Sequence, residues 1–436
     1  MISCRRLNNS QDHSSELVVA RLRGSKVRGL DRMLLSMRGR NYRLYIGAQI
    51  VSQCGLWMQI VAENWLVVRL THSGLALGVT TGLQFIPLLL IGAYGGVLVD
   101  RFDRRLLLFS TQSAAGLLAL ILGLLTLAGV IHVWMIWLAA LALGCVNSLD
   151  RPGQQVFTHE LVGTDKVANA VALNNAVATA ARAVGPGLGG LVLVWLGIGP
   201  CFLVNAFSYV AVLVALASIR PRDLHVDQRA GRARSQVREG LRHAWHTPQL
   251  RTVLVMLAVT STLAMNFQVL LPLLTSQTFG QGGESYGLLM SAMGAGAVAG
   301  SLVAAAWSKP TVRRVAALSV VFGGSLVAVA GSPTLTIAFV TVGIMGVCFS
   351  LLLVASSSSL QLNAGEGIRG RVMALYTIVF LGTAPIGGPL VGGAAQLLGA
   401  RWGFLIGAAG STAAGLFGFA ALRASARSRL ISPINA

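Results

Sequence analysis

The sequence predicts an all-α membrane protein with twelve transmembrane helices, arranged as two six-helix pseudo-repeats. Three observations lead to this fold class: the overall composition, a series of long apolar segments, and a motif that occurs once in each half. Of the 436 residues, 54% are hydrophobic and only 11% are charged. A soluble domain of this size does not have that composition, whereas a polytopic membrane protein does.

Each apolar segment is long enough to cross a bilayer as a helix, because about 20 residues at about 1.5 Å each span roughly 30 Å of hydrocarbon. The predicted spans are 42–68, 74–99, 105–130, 133–157, 168–195, 198–219, 250–273, 284–307, 312–331, 333–359, 371–398 and 401–423. An even number of spans places both termini on one side of the membrane.

Positive charge predicts the orientation. Most of the 34 lysines and arginines stand in the termini and in every second gap between spans, whereas Arg69 and Arg401 stand at the opposite ends and Arg182 stands within a span. Positively charged loops stay in the cytoplasm. We therefore expect both termini to be cytoplasmic, in a bacterial inner membrane.

The domain organisation follows from the longest gap between spans. We predict a basic cytoplasmic tail at 1–41, an N-terminal six-helix bundle at 42–219, a cytoplasmic linker at 220–249, a C-terminal bundle at 250–423 and a short cytoplasmic tail at 424–436. The first tail is expected to be disordered, and Met33 or Met37 is an alternative start. Leu241 and Trp245 share one face of a predicted amphipathic linker helix.

An internal repeat supports the division into halves. Span five contains Gly185-Pro186-Gly187-Leu188-Gly189-Gly190, and span eleven contains Gly388-Pro389-Leu390-Val391-Gly392-Gly393. The two runs stand 203 residues apart at the same place in each half. Parallel six-helix repeats place a substrate site near the midplane between them.

The loop between spans two and three carries the motif Gly96, Asp100, Arg101, Arg104 and Arg105. An acid at the end of a helix is disfavoured by the helix dipole unless cations neutralise it. This run resembles the loop signature of major facilitator transporters, in which it serves as a gating element. Asp103 stands where that family often has Gly. The alternative is ordinary positive charge on a cytoplasmic loop.

The glycine and proline residues of span five resemble the fifth-helix signature of major facilitator exporters, especially antiporters. The residues that carry the match are Gly185, Pro186, Gly189 and Gly190. Glycines allow helix backbones to approach and proline permits bending. The alternative is general packing of small residues, which the second copy in span eleven favours.

Polar residues inside spans one and five are the candidate substrate site. Arg182 shares a stripe with Asn175 and Thr179, and such a cation must face protein or water. We expect it to contact an anionic or polar substrate group, or alternatively to form a fixed ion pair. Span one adds Gln53, Met58 and Gln59 as cavity candidates, although a methionine at helical spacing such as Met58 is more typical of plain packing.

Two acids are candidates for proton coupling. Glu63 lies within span one. A carboxyl group in such low-dielectric surroundings can bind a proton near neutral pH. Alternatively, an external vestibule solvates it. Asp150 belongs to Asp150-Arg151-Pro152, which we expect to end span four. Arg151 is expected to reach Asp100, or else to form a solvated loop pair with its neighbour. His159 and Glu160 are expected in a loop.

Several further runs resemble one bacterial exporter group, the transmembrane secretion effectors, which includes the enterobactin exporter and has macrolide efflux proteins as neighbours. They are Trp57-Met58-Gln59 with Trp65-Leu66-Val67, then His159-Glu160-Leu161-Val162, Ala168 to Asn174, Asn205-Ala206-Phe207-Ser208-Tyr209 and Glu239-Gly240-Leu241-Arg242. The resemblance implies the major facilitator fold and proton-driven export of a small lipophilic, siderophore-like or antibiotic-like molecule.

Other classes of protein fit the sequence less well. We find no nucleotide-binding loop, metal-ligand cluster or nucleophile–base pair, so no enzyme activity, cofactor or metal is expected. The basic residues form no continuous patch, which argues against nucleic acid. The expected partners are a small molecule, protons and membrane lipid, with the chain as a monomer. A nutrient importer on the same fold, or a membrane sensor or assembly partner, remains an alternative.

Overall fold

The computed structural model describes residues 35–99, 102–225, 242, 245–307, 310–365 and 368–431, and this part of the chain is helical throughout. The N-terminal half holds α1 (Arg40–Thr71), α2 (Gly74–Val99), α3 (Arg104–Leu127), α4 (Val133–Val162), α5 (Val167–Trp195) and α6 (Ile198–Ser218). The C-terminal half holds α7 (Pro248–Ala264), α8 (Phe267–Leu273), α9 (Gly283–Ala305), α10 (Val312–Ala330), α11 (Leu335–Asn363), α12 (Arg369–Gly382), α13 (Ala384–Leu398) and α14 (Ala400–Ile431). Short helical turns cover Leu35–Arg38, Thr164–Lys166, Pro221–Asp223 and Leu274–Thr278.

Eleven stretches of the described chain are long and apolar enough to cross a membrane. One of them, Pro248–Thr278, combines α7, α8 and the turn after them, and another, Arg369–Leu398, combines α12 and α13. Helix α1 is the longest of the first half but is not among the eleven. Its glutamines, asparagine and Glu63 lower its hydropathy, although its length of 32 residues would suffice.

The helices alternate in direction, so the bundle has two ends. We call the end with the turns at 72–73, 196–197, 279–282 and 399 the Gly74 face. The other end, with the segments around 103, 163–166 and 219–225, is the Asp103 face. These names carry no statement about the sides of the membrane.

The halves meet mainly at two pairs of helices: α5 packs on α9, and α2 packs on α13. Both contacts use the repeated glycine motif. A Cβ atom added at Gly287 would lie 2.8 Å from the Cα of Gly190, and one added at Gly388 would lie 2.8 Å from the carbonyl oxygen of Gly78. Such backbone-to-backbone contact is possible only without side chains, which explains why the motif occurs once in each half.

The two halves differ in helix continuity. Helices α1 and α5 are uninterrupted, whereas their C-terminal counterparts are broken at Met265 and Asn266, between α7 and α8, and at Thr383, between α12 and α13. Pro385 follows the second break and has no N–H to offer a preceding carbonyl. At the first break, the amide of Asn266 donates to the carbonyl oxygen of Thr262 at 2.8 Å.

Several expected boundaries differ from those observed. Asp150 does not end span four, because α4 continues through Pro152 to Val162. Three side-chain donors satisfy the Asp150 carboxylate and let an acid lie within a helix. For the same reason of continuity, His159 and Glu160 belong to the last turns of α4 rather than to a loop.

The ends of the chain are more ordered than expected where the structure describes them. Ser36 donates through its N–H and its hydroxyl to Oδ1 of Asn169, at 3.1 and 2.7 Å, which attaches the turn at Leu35–Arg38 to α5. Helix α14 extends to Ile431, past the predicted end of the last span. The rest of the basic tail, 1–34, and most of the predicted linker helix, including Leu241, lie outside the described residues.

Candidate functional site

A cavity of about 500 Å³ lies between the two halves. Every helix of the first half contributes to its lining, and α7, α8, α9, α11 and α12, with the break at Met265 and Asn266, contribute from the second. Its volume is within the range of pockets that bind drug-sized molecules.

The two sides of the cavity have different chemistry. We call the polar and charged side, which comes entirely from the first half, the polar wall: Gln49, Gln53, Gln84, Gln112, Asn147, Asp150, Arg151, Gln154 and Arg182. We call the side from the second half the apolar wall: Met265, Phe267, Met290, Met293, Phe349 and Phe380. The second half also adds the polar side chains of Ser261, Asn266 and Gln268.

Asp150 is the carboxylate of the polar wall and is only 5% exposed. Its Oδ1 accepts from the hydroxyl of Thr111 at 2.7 Å and from the amide of Gln112 at 2.9 Å, and its Oδ2 accepts from the amide of Gln154 at 2.7 Å. These bonds link α4 to α3. Arg151 lines the same cavity with an exposed side chain.

Arg182 lies in α5, one turn before the glycine motif, and is among the residues that line the cavity. Its guanidinium carbon lies 5.2 Å from the centre of the Trp57 ring, an arrangement typical of a cation–π contact. Its Nε is buried and has no hydrogen-bond partner. The alternative of a fixed ion pair finds no support, because the described residues include no carboxylate paired with Arg182.

Glu63 is buried, at 6% exposure, but it does not line the cavity. It lies in α1 nearer the Gly74 face, in a region where the two halves meet. The next residue, Asn64, donates through its amide to the Tyr286 hydroxyl of α9 at 3.0 Å, and Trp65 stacks on the same tyrosine with ring centres 6.5 Å apart.

The other candidates of spans one and five have mixed positions. Gln53 lines the cavity, whereas Gln59 accepts a hydrogen bond from the Asn205 amide at 2.6 Å and Met58 packs against Gly189 of α5. Asn175 is exposed outside the cavity lining, and the Thr179 hydroxyl donates to its carbonyl oxygen at 2.7 Å.

The loop motif is described only in part. Asp100 and Arg101 lie outside the described residues, so the predicted contact between Arg151 and Asp100 stays a prediction. Gly96 belongs to α2. Arg104 forms an ion pair with Glu160 at 3.5 Å, and Arg105 donates through Nε to the Leu216 carbonyl oxygen at 2.9 Å. These contacts join α3 to α4 and α6 at the Asp103 face.

Asp103 has a structural role that explains its departure from the family pattern. Its Oδ1 accepts from the backbone N–H of Leu106 at 3.0 Å, so it caps the N-terminus of α3. A carboxylate at a helix N-terminus satisfies a free N–H and complements the helix dipole.

Sequence reasoning missed several amide side chains of the polar wall. Gln84, Gln112, Asn147 and Gln154 line the cavity, as does Gln268 from α8. The available signal was an isolated Gln or Asn within an apolar run, since uncompensated polar groups are disfavoured in lipid. Among the described residues, no group of three or more His, Cys, Asp or Glu could hold a metal ion.

A membrane-embedded bundle of two helical halves, with a polar and aromatic cavity between them, has the architecture of a solute transporter. Residues 34–432 match the family model described as transmembrane secretion effector. The chain belongs to this family of major facilitator transporters, as the sequence motifs predicted. It is therefore a multi-pass membrane transporter and not an enzyme.

Named relatives cover most of the chain. It is 27% identical over 376 residues to the multidrug efflux pump Tap of Mycolicibacterium fortuitum, covering 83% of this chain and 91% of Tap. It is 23% identical over 348 residues to the staphyloferrin A transporter of Staphylococcus aureus, covering 79% of this chain and 87% of the relative.

A solved structure supports the fold. A bacterial homolog of the human lysosomal transporter Spinster, in an inward-facing and unoccupied conformation, superposes with a TM-score of 0.70 at 15% identity. The match covers 88% of this chain and 97% of the homolog. At this identity the similarity concerns the fold alone.

Proposed function

We propose that this protein exports a small amphipathic molecule from the cytoplasm by proton antiport, through alternating access of the central cavity. It has twelve spans, with α1 as the span that the hydropathy criterion leaves out, in two six-helix repeats. The observation that carries the proposal is the cavity between the halves, which holds a buried carboxylate.

The contacts between the halves support a cavity that opens toward the Asp103 face. Near the Gly74 face, α5 meets α9 at Gly190 and Gly287, and Asn64 bonds to Tyr286. Arg151, by contrast, is exposed within the cavity. Since positive charge predicts a cytoplasmic Asp103 face, the proposed state is inward-facing with both termini in the cytoplasm.

The direction of transport is inferred from relatives and from the motif of α5. The Tap relative is an efflux pump by name, and Gly185 to Gly190 resemble the exporter signature. We therefore propose efflux rather than nutrient import, in a bacterial inner membrane and as a monomer.

Asp150 is the better placed of the two candidates for proton coupling because it lines the cavity and Glu63 does not. Its two oxygens accept three hydrogen bonds from side chains of α3 and α4. A proton on Oδ1 would occupy a lone pair that now accepts from Thr111 or Gln112, so one of those two bonds would be lost. Protonation would thereby alter the contact between α3 and α4.

The proposal is tested in two steps. A susceptibility panel of antibiotics and siderophores, on a deletion strain and an overexpressing strain, identifies an exported compound. Transport of that compound into everted membrane vesicles is then measured with an acid interior, with a collapsed pH gradient, and in the variants Asp150→Asn and Glu63→Gln.

We expect accumulation that requires the pH gradient in the unchanged protein and in Glu63→Gln, and no gradient-dependent accumulation in Asp150→Asn. Asp165→Asn serves as the control, because Asp165 stands exposed in a turn at the Asp103 face. Accumulation that survives a collapsed gradient would contradict antiport. Loss of gradient dependence in Glu63→Gln alone would move the coupling role to Glu63.

The positions of the termini are determined in a separate experiment. Two reporter proteins, one active only in the cytoplasm and one active only outside it, are fused in turn to each end of the chain. Activity of both fusions on the cytoplasmic side is expected. Ends on opposite sides would refute the twelve-span arrangement.

A further inference from the structure

We infer that the molecule carried by this transporter is an amphipathic anion, whose negative group binds Arg182 and Arg151 and whose apolar body lies on the apolar wall. This inference names the substrate class of the proposed cavity and so rests on the proposed function.

The charge of the cavity is the first step of the argument. Among the residues that the structure describes, its lining holds two arginines and one aspartate, an excess of one positive charge. Like charges in a confined, low-dielectric space repel one another. A bound anion would offset the excess positive charge, so this lining favours an anionic ligand.

Asp150 does not supply the missing negative charge to Arg182. Its oxygens already accept from Thr111, Gln112 and Gln154, and no ion pair joins it to an arginine among the described residues. The carboxylate is thus satisfied by neutral amide and hydroxyl donors on its own side of the wall. Asp150 attracts the neighbouring Arg151 without forming an ion pair, whereas Arg182 has no carboxylate partner among the described residues and keeps its charge free for a ligand.

The guanidinium of Arg182 is positioned to donate a hydrogen bond to a ligand. The guanidinium lies over the Trp57 ring, which limits its rotation, and its buried Nε has no partner. Burying an N–H without an acceptor is unfavourable. A carboxylate, phenolate or sulfonate oxygen of a ligand would satisfy that donor with a charge-assisted bond.

The apolar wall determines the rest of the molecule. Phe267 and Phe349 face each other edge to face with ring centres 5.2 Å apart, and Met265, Met290 and Met293 complete the surface. Aromatic rings and flexible thioethers bind flat apolar bodies of varied shape. A cavity of about 500 Å³ accommodates two or three linked rings with a charged group.

A matched pair of probes tests the inference. 8-Anilino-1-naphthalenesulfonate is an anion, and N-phenyl-1-naphthylamine is the same ring system without the sulfonate. Binding of each to the full-length protein in lipid nanodiscs is measured by equilibrium dialysis, with empty nanodiscs subtracted. We expect the sulfonate to bind at least about tenfold more tightly than the neutral amine, because only it reaches a charge-assisted bond.

Variants locate the anion. Arg182→Gln is expected to weaken binding of the sulfonate about tenfold and to change binding of the neutral amine less than about twofold, whereas Arg182→Lys restores part of the preference. Phe349→Leu is expected to weaken both probes alike. Arg401→Gln is the control, because Arg401 lies at the Gly74 face and donates to the Ser332 carbonyl oxygen at 2.9 Å.

Thermal melting of each variant checks folding, and Arg182→Lys keeps the test decisive if Arg182→Gln does not fold. Equal binding of the two probes, or an equal loss of both in Arg182→Gln, would overturn the inference. Neither result depends on transport: an exporter that prefers the neutral probe refutes only the substrate class. A protein that binds the sulfonate without transporting any compound refutes only the proposed function.

Discussion

The two halves of this transporter contribute different side chains to the cavity between them. The first half supplies continuous helices and every charged side chain of the lining. The second supplies helices broken at Asn266 and Thr383 and a surface of phenylalanines and methionines. At the shared register of the glycine motif, Arg182 of α5 corresponds to Pro385 of α13.

The two halves of the bundle thus meet different physical requirements. A cation within a span costs about 2.5–3.5 kcal/mol on insertion scales, so Arg182 needs fixed surroundings, and the unbroken α1 supplies Trp57 against it. Apolar side chains have no such requirement. The half that carries them can accommodate interrupted helices. The first interruption, at Met265 and Asn266, lines the cavity, and the second follows Leu381, which also lines it.

The largest effect is expected from a variant that keeps the two halves from packing against each other. Gly287→Leu places a side chain where α9 contacts Gly190 of α5, and overpacking of this kind costs about 1–3 kcal/mol or more. We expect loss of transport and a lower melting temperature. The measurement is transport in everted vesicles together with a thermal melt in detergent.

Gly324→Leu is the matched control, because a Cβ at Gly324 meets nothing within 4 Å. It should behave like the unchanged protein. Full transport by Gly287→Leu would show that the halves do not need this close contact.

The apolar wall is tested by Phe349→Leu. Phe349 is 6% exposed and packs against Phe267 and Phe322. Loss of ring area should raise the KM of an aromatic compound about three- to tenfold with little change in the maximal rate, which corresponds to about 1 kcal/mol of binding. Substrate titration in everted vesicles measures both constants.

Phe207→Leu is the control for that variant, since Phe207 is 70% exposed on the surface of α6. A change in maximal rate without a change in KM would assign Phe349 to movement of the half rather than to binding.

A smaller effect is expected from the interruption between α12 and α13. The Thr383 hydroxyl donates to that of Ser261 at 2.8 Å and so holds the break against α7. Thr383→Ala removes one hydrogen bond, worth about 1 kcal/mol. We expect a change in turnover of about two- to fivefold at constant KM.

The control is Thr377 of α12, which precedes the break. Its side chain is exposed, and its hydroxyl donates to the carbonyl oxygen of Met373 in the same helix. Thr377→Ala should leave turnover unchanged. An equal change in turnover in the two variants would show that the hydrogen bond at the break has no specific role in the transport cycle.

The smallest effect on transport is expected at the Asp103 face of the first half. Glu160→Gln removes the charge that pairs with Arg104, whose side chain is 11% exposed. We expect a melting temperature lower by a few degrees, corresponding to about 1 kcal/mol, and transport within about twofold, because the pair lies outside the cavity lining. Loss of transport in this variant would extend the functional part of the first half to the helix ends at its Asp103 face.

Several site residues could be predicted from the sequence because a charge or glycine within an apolar run has few acceptable environments. Arg182 and Gln53 reach the cavity as predicted, and the repeated glycines lie where the halves touch. Asn175 and Thr179 share the stripe of Arg182 on an ideal helical wheel, yet they lie outside the lining. The wheel gives direction around one helix but not the depth at which neighbouring helices separate.

The sequence by itself determined the class of protein, the two halves and the family. The length of apolar segments, the spacing of glycines and the charge of loops are local properties, and they can be read from the sequence without knowledge of packing. Only the tertiary structure decided that Asp150 lies inside α4 with three donors, that Trp57 supports Arg182, and that the walls of the cavity differ. Those features depend on the rotation and bending of helices far apart in the chain, which are set by contacts between them.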